Sequence, residues 1–161
     1  MKQAAGTSRA LSGLSALLVL LFCAGGALAQ SPAPSGLLKT HLDFLEQEGF
    51  KVEVRSAAHA TFRREGRTYV VVVDESDPAY FRLELRFRAE AIDADERARR
   101  LEAIAAAMIG TKVARAYIDR EGLLVFQVAY HQASPGDANR SMGRFFRMID
   151  TAYDHYRRAL R

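Results

Sequence analysis

The chain has 161 residues, of which 49% are apolar, 26% charged and only 4 are proline. That balance belongs to a globular protein and excludes disordered, collagen-like and disulfide-stapled classes. The formal charge is +4, but removing a 29-residue leader takes away Lys2 and Arg9, leaving 132 residues of net charge +2. The high isoelectric point reflects 19 arginines against 4 lysines, and without clustering of like charge it does not indicate nucleic-acid binding.

Residues 1–29 read as a secretory signal peptide. Lys2 and Arg9 give a positive start, Leu14 to Phe22 an apolar stretch, and Ala27-Leu28-Ala29 a small-x-small cleavage site. The expected cut follows Ala29, and periplasmic or secreted localisation follows from it. The rival reading is an uncleaved anchor, since Ala10 to Ala29 carries no charge. Glycines inside that run and small residues at its end favour cleavage. Cys23, the single cysteine, lies in the leader, so the mature chain makes no disulfide. Residues 30–36, with Pro32 and Pro34, form a short extended linker, and residues 37–161 a single domain.

In chain order, Ser35 caps a first helix whose stripe is Leu38, Leu42 and Leu45, and Gly49 ends it with Phe50 folding back. Phe50, Val52 and Val54 then alternate with Lys51, Glu53 and Arg55 as a strand with one wet face. Segments 60–64 and 67–73 flank Glu65-Gly66 as a hairpin, and the run Tyr69 to Val73 predicts burial on both faces. Asp74 to Pro78 breaks the chain. From Tyr80 to Arg88, Phe81, Leu83, Leu85 and Phe87 face one way and Arg82, Glu84, Arg86 and Arg88 the other, so one sheet face is exposed or faces a partner at this strand.

Asp93 and Glu96 predict a capping box opening a helix to about 109, with Ala98, Leu101, Ile104, Ala105 and Met108 as its apolar face and Gly110 as its end. Strands over 112–119 and 123–131 surround a turn at Asp119 to Gly122. A long helix from Asn139 to about Leu160 presents Met142, Phe145, Phe146, Ile149, Tyr153 and Tyr156. Phe145 and Phe146 point about 100° apart, and one of the two is expected at a subunit contact. The fold expected is α+β: an antiparallel β-sheet of five to six strands with three helices, in the order α-β-β-β-β-α-β-β-α.

The run Val-Val-Val-Asp-Glu-Ser-Asp-Pro-Ala-Tyr-Phe at Val71 to Phe81, the helix after it, and Thr111-Lys112-Val113-Ala114-Arg115-Ala116-Tyr117 together resemble the YbjN-like family, which shares a type III secretion chaperone-like fold. The resemblance covers about Leu37 to Tyr156. It implies a compact domain that pairs with itself and holds other polypeptides, and it implies no enzyme.

Candidate chemistry is sparse. Asp74, Glu75 and Asp77 offer three carboxylates in four positions, but without EF-hand spacing they read as a strand-ending turn. His41, His59, His131 and His155 lack a zinc-ligand spacing, and Ser134 and Ser141 lack a nucleophile frame. The arginines of the last helix, among them Arg140 and Arg144 near its expected start, read as a solvated face, with Asp154 pairing to Arg158. No catalytic, cofactor-binding or metal-binding residue is assigned, and no cofactor. The expectation is an exported, non-enzymatic protein-binding or chaperone/adaptor-like module of the bacterial envelope. Its expected partners are a polypeptide or envelope component and a second copy as homodimer, with no nucleic acid and no stable membrane insertion after leader cleavage. The alternative is a small-ligand carrier or small hydrolase with an unrecognised site.

Overall fold

A computed structural model of the protein describes residues 32–88 and 93–161; the leader, its cleavage site and the alternative anchor lie outside the described residues. The elements are α1 (Gly36–Gln47), β1 (Val52–Ser56), β2 (His59–Arg64), β3 (Arg67–Asp74), β4 (Asp77–Phe87), α2 (Ala94–Ile109), β5 (Arg115–Ile118), β6 (Leu124–His131) and α3 (Pro135–Ala159). The expected α+β order of three helices and an antiparallel sheet is present, with six strands in the spatial order β1-β2-β3-β4-β6-β5. The chain leaves β4 through α2, lays β5 at the far edge and returns by a hairpin to place β6 between them.

Local chemistry explains the boundaries. Ser35 Oγ accepts from Leu38 N at 3.1 Å and its own N–H donates to Ala57 O at 2.9 Å, so the linker is already tied to the domain one residue before α1. Phe50 N–H closes that helix onto Leu45 O at 2.9 Å, and the first strand therefore begins at Val52 rather than Phe50. Glu65 and Gly66 both have positive φ, 51° and 76°, the two-residue turn whose twist matches its strands. Asp74 Oδ1 accepts from Ser76 N at 2.9 Å and Ser76 Oγ at 2.6 Å, turning β3 directly into β4. The expected break is thus a tight hairpin, with Pro78 admitted because the β4–β6 ladder starts only at Tyr80.

α3 begins four residues earlier than the periodicity predicts. Pro135 stands at its first position, and Ser134 N–H donates to the Asp137 carboxylate at 2.7 Å. With 25 residues it runs about 37 Å across one face of the sheet. Between that face and the helices lie Leu38, Leu45, Phe62, Tyr69, Phe81 and Phe126, all buried. Phe145 and Phe146 are both buried, which removes the expected subunit contact. The first stacks on Phe81 at 5.9 Å and the second meets Tyr69 edge-on at 5.3 Å, so one residue serves each half of the sheet.

The apolar face predicted for α2 is corrected as well. The helix buries Ala103, Ile104 and Ala107 against α3 and β5 and leaves Leu101, Ala105 and Met108 exposed, with Ala98 also outward. Small side chains let the helices approach closely, while the larger ones of the neighbouring stripe remain outside. Asp93 caps it as expected, accepting from Glu96 N at 2.8 Å, but the Glu96 carboxylate turns to Arg100 at 2.7 Å instead of closing the box. β5 is shorter than expected, because Thr111 Oγ1 reaches both Ala107 O at 3.0 Å and Ala114 O at 3.3 Å and so bends 111–114 back toward α2.

Candidate functional site

Strand register fixes which side chains share the second face of the sheet. Glu84 pairs with Val70 on β3 and Gln127 on β6, Arg82 with Val72 and Ala129, and Arg86 with Val125. His59 and Thr61 continue these rows on β2, and Arg115 and Tyr117 continue them on β5. None of these belongs to the cluster packed under the helices. Val70 and Val72 are nonetheless buried, as the continuous apolar run of β3 predicts, and so is Val125 on β6. Their cross-strand neighbours are long side chains, Arg82, Arg86, His59 and Tyr117, whose stems cover apolar surface while their polar ends reach outward.

At the centre stands Glu84, expected on a wet face and instead only 1% exposed as a side chain. Its two carboxylate oxygens meet Arg82 Nε at 2.7 Å and Arg86 Nε at 2.5 Å. The Arg86 contact is an aligned hydrogen bond; the Arg82 contact is an ion pair off the bonding direction, so Arg82 Nε and Glu84 Oε1 are buried without a hydrogen-bond partner among the described residues. One carboxylate thus pairs with two guanidinium groups 26% and 33% exposed, and the row keeps a net positive charge. Burial lowers the His59 pKa, and the cationic Arg86 and Arg82 lower it further. Burial raises that of Tyr117, reinforced by Glu84, while its hydroxyl donates to Gln127 Oε1 at 2.9 Å. Counting outward positions of β1 to β6, the face carries Arg55, Arg63, Arg82, Arg86 and Arg115 against Glu53, Glu84 and, at the end of β3, Asp74. It carries more cationic than anionic side chains, and a hollow of about 210 Å³ opens on it among Glu53, Arg55, Thr61, Arg63 and Thr68.

The other residues singled out in the sequence are dispersed. Asp74 caps its own turn, and its pKa is lowered by the Ser76 hydroxyl; Asp77 lies 3.9 Å from His131 at the strand edge. Among the described residues no three His, Cys, Asp or Glu side chains converge to hold a metal. His41 is fully buried, bonded through Nδ1 to Asn139 Oδ1 at 2.8 Å and tilted on Phe81 at 4.7 Å. Asn139 Nδ2 donates to Thr40 O, so His41 carries its proton on Nδ1 and leaves Nε2 as a bare, buried acceptor. Burial lowers its pKa against the opposing effect of the Asn139 bond. Ser134 precedes α3, Ser141 lies within it, and His155 packs against Gly110.

The last helix also departs from a purely solvated arginine face. Arg140 pairs with Asp137 in its first turn, and Arg157 lies over the Tyr153 ring at 5.8 Å while Asp154 makes no ion pair with Arg158. Asp150 accepts from Arg64 at 3.0 Å, Arg67 at 3.0 Å and the Tyr69 hydroxyl at 3.1 Å. Arg64 also covers the Phe146 ring at 4.7 Å. This cluster fastens α3 to the β2–β3 hairpin, and the only signal for it in the sequence is the pair Arg64 and Arg67 on either side of the turn.

Compared with known proteins, the chain matches no family model, no curated protein and no solved structure.

Proposed function

We propose that the protein is an exported, non-catalytic binding module of the bacterial envelope that holds a polypeptide on the helix-free face of its sheet. The observation that carries the reading is the Arg82–Glu84–Arg86 row, a charged, largely desolvated strip laid over buried valines where no described helix packs. Such a strip offers guanidinium groups to carboxylates of a partner, with specificity from matching charge rather than from a deep hollow. An acidic segment suits it, since arginines outnumber glutamates on this face. The resemblance to YbjN-like and secretion-chaperone-like proteins adds polypeptide holding and self-pairing to the reading.

Site-specific photo-crosslinking in cells tests it. A crosslinker replacing Thr61 or Arg115 should capture a defined polypeptide, one replacing Arg158 on α3 should not, and Arg82→Gln/Arg86→Gln should abolish capture. Equal capture from both faces overturns the proposal. Light scattering at high micromolar concentration tests the homodimer, which a strict monomer removes. A mature N-terminus at Gln30, read by mass spectrometry, tests export with cleavage.

A further inference from the structure

Leu101, Ala105 and Ile109, spaced as one face of α2, are exposed, while Met108 beside them turns its Sδ to β5 and accepts from Ala116 N at 2.9 Å. Exposure is greatest at Ile109, the last residue of the helix. Leu101 is 46% exposed and Ile109 88%, and Val113, in the turn that follows, is 47% exposed. Directly beside this tip lies a cleft of about 320 Å³ between the 110–114 turn and α3, lined by Val113, Met148 and Thr151 and by three cations, Lys112, Arg144 and Arg147. No acidic side chain lines it, and no ion pair to these three cations is present among the described residues. The acids that open α2, Asp93 and Asp95, are about 20 Å away along its axis, and Glu102 about 10 Å.

An unopposed positive cleft next to protruding apolar side chains fits a surface that is itself anionic at one depth and apolar a few ångströms deeper. We infer that the α2 tip docks peripherally on an anionic phospholipid bilayer, with headgroup phosphates between Lys112, Arg144 and Arg147 and with Ile109 and Val113 entering the acyl boundary. This is a surface contact and not a span; no described helix is long and apolar enough to cross a membrane. It lies on the helix side of the domain and stands or falls apart from polypeptide binding on the opposite face.

The test uses the full chain as the cell delivers it, with Cys23→Ser and Ile109→Cys carrying one environment-sensitive dye. Vesicles of phosphatidylglycerol and phosphatidylcholine should shift the dye emission to the blue, and vesicles of phosphatidylcholine alone should not. Arg144→Gln/Arg147→Gln should weaken the partition about 30-fold, at roughly fivefold per cation, with an unchanged circular dichroism spectrum. Raising the salt on the unsubstituted surface should reverse the shift without any further variant. An equal shift with neutral vesicles, no shift with anionic ones, or a shift without lipid that grows with protein concentration would overturn the proposal, the last by showing that a second copy covers the tip.

Discussion

Replacing Glu84 by Gln keeps the shape of the side chain and removes its charge, leaving Arg82 and Arg86 without the carboxylate that now lies 2.7 and 2.5 Å from their Nε atoms. Breaking a fully buried ion pair costs about 3–5 kcal/mol. Here the arginines are 26% and 33% exposed, so both can recover part of their hydration, and the expected loss is about 2–3 kcal/mol. With a urea slope of about 1–3 kcal/mol/M, the unfolding midpoint should fall by about 0.7–3 M at unchanged slope. Glu53→Gln on the same face is the control: its pair with Arg55 is well exposed on both sides, and its loss should stay within about 0.5 kcal/mol. A Glu84→Gln loss no larger than that of Glu53→Gln would refute the view that one buried carboxylate holds both arginines of the strip.

Asp150→Asn should destabilise by about 2 kcal/mol in the same assay, since two arginines and the buried Tyr69 hydroxyl lose a charged acceptor; a change below about 0.5 kcal/mol would reduce the cluster to a surface pair. Because burial holds the His41 pKa below 6.5, the folded state takes up its proton later than the unfolded chain. His41 therefore contributes full stability above that value, and the contribution falls away as pH drops toward the folded pKa. Unfolding free energies measured from about pH 7.5 to 5.5 should decline less steeply in His41→Gln than in the parent, with some slope remaining from His59, which shifts in the same direction. An identical slope in both proteins would exclude His41. Gly110→Ala places a methyl 2.7 Å from the His155 ring, and should lose about 1–3 kcal/mol. Pairing it with His155→Ala should recover most of that loss in a double-mutant cycle, whereas additive losses would mean that the ring is not the obstacle.

The elements that were legible in the sequence are those whose periodicity and punctuation agree. Phe81, Leu83, Leu85 and Phe87 alternate as β4 requires, Glu65-Gly66 can form only a tight turn of this hand, and Leu38, Leu42 and Leu45 fall on one helical face. α2 was misread because periodicity ranks residues by apolarity, and two apolar stripes share that helix. The one holding Ala103 and Ala107 is buried since closeness to α3 demands small residues, which nothing local announces. The start of α3 was hidden by Pro135-Gly136, which resembles a loop unless Asp137 is seen reaching back to Ser134. The burial of Glu84 and the gathering of Arg64, Arg67 and Tyr69 on Asp150 depend on strand register and on contacts more than 80 residues apart, and no spacing within one segment encodes them.

The two borders of the sheet bear on how copies of this chain meet. β5 offers only four residues, and β1 only five, with an irregular register between Val54 and Ser56 and with Pro32, Ala33 and Pro34 lying beside it. Neither border presents the long, regular row of free amides and carbonyls that a foreign strand needs for end-to-end growth. Fibre-like stacking is thereby discouraged without help from any cross-link, and encounters with other molecules are directed onto broad surfaces instead of rims.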